Sequence, residues 1–83
     1  MKTEFLLLAQ FGAADVPLAE VAEHYLGMTP RAASDKAGRS ALPFPAYRAG
    51  SNKSPWLVRV TDLAAYLDQA REQATKDWQA RQT

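Results

Sequence analysis

Arg31, Asp35 and Arg39 recur at four-residue spacing within the stretch TPRAASDKAGRSALP, residues 29–43. At about 100° per residue, a helix places these three on one face, with Ser34 and Gly38 beside them and Lys36 on the flank. Ala33, Ala37 and Ser40 fall on the opposite face. Long donors on a frame of small residues suit a helix that lies close to its own protein on one side and meets an external acceptor on the other. Paired guanidinium N–H groups match the O6 and N7 acceptors of guanine, which suits Arg31 and Arg39 to base contacts. Asp35 either accepts from cytosine N4 or pairs with one of the two arginines and fixes its rotamer. Lys36 suits a phosphate contact. Gly38 either admits a phosphate closely or only loosens the helix end. Ser34 can touch base or phosphate.

A second set of donors follows in two runs of strand type, FPAYR and WLVRV, around the turn-rich AGSNKSP. Ser51, Asn52 and Lys53 occupy the tip, with Lys53 the most accessible phosphate contact. Arg48 and Arg59 are expected to face each other across this hairpin, where their mutual repulsion would call for an anion. The charge along the chain is strongly uneven although its net value is only +1. Residues 29–60 set Arg31, Lys36, Arg39, Arg48, Lys53 and Arg59 against Asp35 alone, whereas the flanking segments are net acidic. A basic centre between acidic flanks suits an anionic polymer as partner.

Other chemistries find little support. There is no cysteine, which excludes disulfides and thiolate metal sites and fits a reducing cytoplasm. His24 is the single histidine and is read as a surface residue. No nucleophile–base set, paired acid or phosphate loop is present, so an enzyme is not expected, and neither is a cofactor or a metal. The apolar stretch near the start is short and is broken by Gln10, so neither a signal peptide nor a membrane span is predicted.

The elements that must position these donors can be read from spacing. Eighty-three residues suit one small domain over 1–83, and 16 alanines within the 47% apolar content leave a thin core. Thr3 is expected to cap a first helix reaching about Phe11, with Phe5, Leu6 and Ala9 on one face and Gly12 ending it. Pro17 opens a second helix, in which Leu18, Val21, Ala22, Tyr25 and Leu26 form an apolar stripe and Gly27 supplies the cap. Thr29 and Pro30 then start the basic helix, so that residues 18–40 form a helix-turn-helix arrangement. The hairpin over about 44–60 puts Trp56, Val58 and Val60 on one side and Leu57 and Arg59 on the other. Thr61 or Asp62 caps a last helix over about 62–82, with Leu63, Tyr66, Leu67 and Ala70 as its stripe and Glu72–Lys76 and Asp77–Arg81 as i,i+4 pairs. That helix outruns the core, so its end should overhang. Tyr25, Tyr66 and Trp56 are assigned to the core. Trp78 either folds back on Phe5 and Leu8 or, with Ala74, anchors another subunit.

The predicted fold class is therefore mainly α with a small β-hairpin: a winged helix-turn-helix of three short helices, a two-stranded wing and a long C-terminal helix. In that plan the third helix enters a DNA major groove and the wing reaches adjacent backbone. The functional reading is a sequence-specific binder of double-stranded DNA that activates transcription, as a homodimer or a cooperative array. Two alternatives stay open. One is an excisionase-like factor that bends DNA, or a repressor. The other is a phage-encoded interaction module that inhibits a host protein.

The ordered set EFLLLAQFGA, TPRAASDKAG, FPAYR, SNKS and VTDLAAYLDQAR resembles the pyocin activator (PrtN-like) family over about residues 3–71, and more broadly excisionase-like and MerR-like winged helices. The resemblance implies a small bacterial or prophage activator that binds a short promoter element and switches on bacteriocin or phage-derived genes. It also implies work in the cytoplasm at the nucleoid, with RNA polymerase as a further partner. Lys36, Gly38, Pro45, Arg48, Ser51, Lys53 and Ser54 match the family pattern. Arg31, Asp35 and Arg39 depart from it, and so does the stretch after Arg71.

Overall fold

A computed structural model describes residues 2–82. The first helix, α1, spans Thr3–Phe11, but Thr3 does not cap it. Lys2 holds the cap position with no side-chain bond, and the Thr3 hydroxyl instead donates to the Asp68 carboxylate at 2.6 Å, tying α1 to the last helix. Gly12 closes α1 in the left-handed region, at φ 70°, its N–H donating to the Leu8 carbonyl. The inward face also differs from the expected one. Leu7 is buried and Leu8 and Phe11 pack beside it, while Phe5, Leu6 and Ala9 stay exposed. Because α1 is apolar nearly all round, spacing alone offers two faces, and packing against the last helix selects one.

A short strand, β1 (Asp15–Pro17), comes next, where no element was predicted. Three residues carry no periodicity, and Pro17 is admissible because β1 is an edge strand. Pro17 leads directly into α2 (Leu18–Val21), which widens into a π-helical turn over Ala22–Leu26. Leu18, Val21 and Ala22 are buried, as the stripe requires, and Gly27 ends the turn at φ 64°.

Helix α3 spans Pro30–Gly38, and the Thr29 hydroxyl accepts the Ala32 N–H at 3.2 Å. Ala33 is fully buried, which lets α3 lie close against α2. The helix stops earlier than its pattern suggested. Ser40 turns into the left-handed region at φ 55°; its N–H donates to the Ala37 carbonyl and the Ala41 N–H to the Lys36 carbonyl. This is a Schellman closure with serine where glycine is usual. Ser40 is thus exposed beyond the helix rather than on its inner face, and Arg39 occupies the C-cap.

Strands β2 (Tyr47–Arg48) and β3 (Trp56–Arg59) complete a three-stranded antiparallel sheet in the order β1-β3-β2, in place of the expected two-stranded hairpin. The last helix, α4, follows β3 without a break and spans Val60–Gln82. Neither Thr61 nor Asp62 caps it, since both lie inside it; the Val60 N–H is satisfied by the Ala14 carbonyl at 2.8 Å. Val60, Leu63 and Ala64 are buried, and Tyr66 meets buried Phe44 edge-on, ring centroids 5.4 Å apart. With Val16, Val21 and Val58 these residues make one apolar cluster between the sheet and the helices.

From Gln69 to Gln82 every residue of α4 is exposed. These fourteen residues extend ~21 Å past the core. The radius of gyration is accordingly 14.3 Å, against about 12 Å for a compact chain of this length. Within the overhang Glu72 and Lys76 pair at 3.5 Å, but Asp77 accepts from Gln73 rather than pairing with Arg81. Among the described residues no helix is long and apolar enough to cross a membrane.

Candidate nucleic-acid interface

The sheet determines which basic side chains meet α3. Directly opposed residues of an antiparallel pair point to the same side. Arg48 lies opposite Trp56, and Tyr47 lies opposite Leu57. On the other edge Asp15 lies opposite Arg59 and Val16 opposite Val58. One face therefore carries Val16, Val58, Trp56 and Arg48, and the other carries Asp15, Arg59, Leu57 and Tyr47.

This arrangement overturns the expected Arg48–Arg59 opposition. Arg59 pairs with Asp15, Nε to Oδ1 at 2.7 Å, and the Tyr47 hydroxyl donates to the same oxygen at 2.5 Å. The hydrogen bond to Asp15 raises the Tyr47 pKa above its ordinary 10.0, and the charge of Asp15 raises that of Arg59. The expected repulsion is thus replaced by a three-membered polar cluster on the sheet face away from Arg48. The register that produces it depends on β1.

Arg48 has a different environment. Its guanidinium carbon lies 4.5 Å from the centroid of the Trp56 ring, within cation–π range. Arg48 Nη1 donates to the Asn52 carbonyl of the β2–β3 loop. Arg48 Nε and Trp56 Nε1 are buried and have no acceptor among the described residues. Two adjoining hollows share Arg48, Trp56 and Ser34 as their common wall. One is completed by Asp35, Gly38 and Arg39 of α3. The other is completed by Asn52, Lys53, Ser54 and Pro55 of the loop and by Pro17, Leu18, Ala19 and Pro30. The α3 donors and the loop donors therefore line two adjoining hollows that meet at Ser34, Arg48 and Trp56.

Of the residues singled out by sequence, Ser34, Asp35, Gly38, Arg39, Arg48, Asn52 and Lys53 come together there. Arg31 is exposed on the first turn of α3 and Lys36 is half-buried; neither lines these hollows. Ser51 shapes the loop, its Oγ accepting the Lys53 N–H at 3.2 Å and its carbonyl the Ser54 N–H at 2.9 Å. Asp35 forms no ion pair with Arg31 or Arg39 among the described residues, so its carboxylate is not held by either. A methyl placed on Gly38 would meet no atom within 4 Å, so internal packing does not require glycine there.

Trp56 packs on the core as expected, and it also has a partner that the sequence did not show. It is half-buried and packs against the core, but one ring face supports Arg48. Its alternation with Val58 pointed inward; only the cross-strand register shows what lies over it. Trp78 is 62% exposed and does not fold back on α1. His24 is exposed, and no cluster of metal-ligating side chains occurs among the described residues.

These features define a small, mainly helical protein with a three-stranded antiparallel sheet, a long C-terminal helix and a polar groove between the basic helix and the sheet loop. The family model of the pyocin activator protein PrtN matches residues 3–74, and the chain belongs to that family. The family name denotes a regulator of pyocin genes. No curated protein and no solved structure matches the chain. The family match ends before Trp78, so the exposed tip of α4 lies outside it.

Proposed function

We propose that the protein is a sequence-specific activator that binds double-stranded DNA at a promoter element of pyocin or other phage-derived genes. It acts in the bacterial cytoplasm by binding alone, without catalysis or a cofactor. In this reading α2 and α3 form a helix-turn-helix, α3 enters the major groove, and the β2–β3 loop is the wing that follows the neighbouring phosphates. Arg31, Asp35 and Arg39 read bases; Arg48, Lys53 and Lys36 hold phosphates; Ser34, Ser51 and Asn52 shape or extend those contacts. Arg59, committed to Asp15 on the other sheet face, is left out of the set.

The observation that carries this reading is the groove shared by α3 and the loop, which present Arg39, Arg48 and Lys53, with Asp35 the only acidic side chain lining it among the described residues. Selection of bound sites from random duplexes tests it: a single enriched motif supports the reading, and no enrichment at low salt refutes it. Four to six phosphate contacts per subunit give a slope of log K against log salt of roughly −4 to −5.

A second copy of the chain is the proposed further partner. The outer face of α1 leaves Phe5 and Leu6 53% and 54% exposed, and the α4 overhang carries Ala74 and exposed Trp78. An isolated helix of this overhang's length is marginal in water, and pairing with a second subunit would stabilise it. Half-site spacing in the selected motif would report the same dimer. Contact with RNA polymerase completes the activator reading.

A further inference from the structure

We propose that Trp56 is a positioning residue for DNA binding: its ring and the Asn52 carbonyl hold Arg48 at the seam between α3 and the loop, where the guanidinium contacts a phosphate. This inference rests on the DNA-binding reading above and adds a residue to it.

Three observations support the assignment. The stack is a matter of register, since β2 and β3 place Arg48 and Trp56 directly opposite each other, with 4.5 Å between guanidinium carbon and ring centroid. The second restraint comes from the loop, through Arg48 Nη1 and the Asn52 carbonyl. Finally, Ser34, Arg48 and Trp56 are the residues common to both hollows, so the pair sits where the α3 wall and the loop wall meet. A flexible arginine loses side-chain freedom when it binds a phosphate. One already fixed by a ring and a carbonyl has lost much of that freedom beforehand. No acidic side chain pairs with Arg48 among the described residues, so its charge remains available.

Such a role separates from a merely structural one by salt dependence. Each phosphate contact contributes about 0.9 to the slope of log K against log salt on duplex DNA. A variant that only loosens the fold lowers the competent fraction and leaves that slope alone. The probe is mixed-sequence double-stranded DNA a few helical turns long, titrated against R48Q, R48K, W56F, W56L and the R48Q/W56L double variant at several salt concentrations.

R48Q should lower the magnitude of the slope by about 1. W56L should do the same although it removes no charge, and the double variant should bind no more weakly than R48Q alone. W56F, which keeps an aromatic face, should retain the wild-type slope. R48K keeps the charge without the planar stack, and should lose affinity nearly as R48Q does. A wild-type slope in W56L overturns the proposal, as do losses that multiply in the double variant. Should W56L fail to fold, full retention of affinity by R48K overturns it instead. If the wild-type protein binds no duplex at low salt, the DNA-binding reading itself fails; a binding wild type whose W56L variant keeps the wild-type salt slope refutes only the role of Trp56.

Discussion

Replacing Gly38 with alanine should push stability and DNA affinity in opposite directions. Gly38 is the last residue of α3, its φ is not positive, and a methyl there would meet nothing within 4 Å. The fold therefore gains the helix preference of alanine over glycine, about 0.5–1 kcal/mol. For a domain of this size that raises the melting temperature by roughly 2–8 °C. The same methyl would project from bare backbone that lines the groove beside Asp35, Arg39 and Arg48. A phosphate resting on that backbone would be displaced by ~1.5 Å, one carbon–carbon bond. Hydrogen bonds tolerate only a window of about 2.7–3.2 Å, so a displacement of that size breaks one. Loss of a single bond to a charged group removes about 1.5–3 kcal/mol, which is about ten- to a hundredfold in Kd. Thermal melting and fluorescence anisotropy on one preparation measure both quantities. Damage to the fold cannot produce a more stable protein that binds worse. Unchanged affinity, within about twofold, would place the DNA away from Gly38 and refute the groove geometry; a lower melting temperature would refute the packing argument.

Three further outcomes follow from other parts of the molecule. Ser40→Gly should stabilise the fold by about 0.5–1 kcal/mol, measured by urea unfolding, because glycine holds the left-handed closure of α3 without the serine penalty. Tyr47→Phe should destabilise the protein at neutral pH, since it removes the bond to Asp15. The Tyr47 pKa is raised in the folded state, so its contribution is fully present below the ordinary tyrosine value of 10.0 and is lost as pH climbs through the higher folded value. The stability gap between wild type and Tyr47→Phe should therefore close above pH 10.0, and a constant gap would contradict the assignment. Trp78→Ser should convert a dimer to monomer in sedimentation equilibrium while leaving the melting of a dilute sample nearly unchanged, because the side chain touches little of its own core.

The parts of the fold that were legible in sequence are those with strong local chemistry. Thr29, Pro30 and Gly27 mark the joint between α2 and α3 because cap, first-turn proline and left-handed glycine each act within a few residues. The stripe of α2 was readable because its polar residues fall on one side. What was not legible depended on partners distant in the chain. The inner face of α1 is chosen by α4, and the Thr3 hydroxyl goes to Asp68, 65 residues away, instead of to its own helix end. β1 is too short to carry a pattern and exists because β3 offers it an edge. The end of α3 was missed because its closure uses serine in a conformation that favours glycine. In the groove, charge pointed to α3 and the loop, but the partner of each arginine needed the register.

That register also explains how a chain of net charge +1 can present a local cation surface. β3 carries Trp56 and Arg59 on opposite faces, and each neighbouring strand supplies one of them with a partner. β1 brings Asp15 to Arg59, and the ion pair neutralises that charge on the face away from Arg48. β2 brings Arg48 to Trp56, an aromatic partner that orients a guanidinium without cancelling its charge. The alternation along β3 thus keeps Arg59 off the groove and leaves Arg48, Arg39 and Lys53 as the positive side chains lining it among the described residues, while β1 supplies the partner that Arg59 takes on the far face. Asp15→Asn would test this division of labour. It frees Arg59 on the far face and adds no cation to the groove, so the salt slope of DNA binding should stay as in the wild type while the strand pairing weakens. A steeper slope would mean that Arg59 reaches the DNA and that the two sheet faces are not separate surfaces.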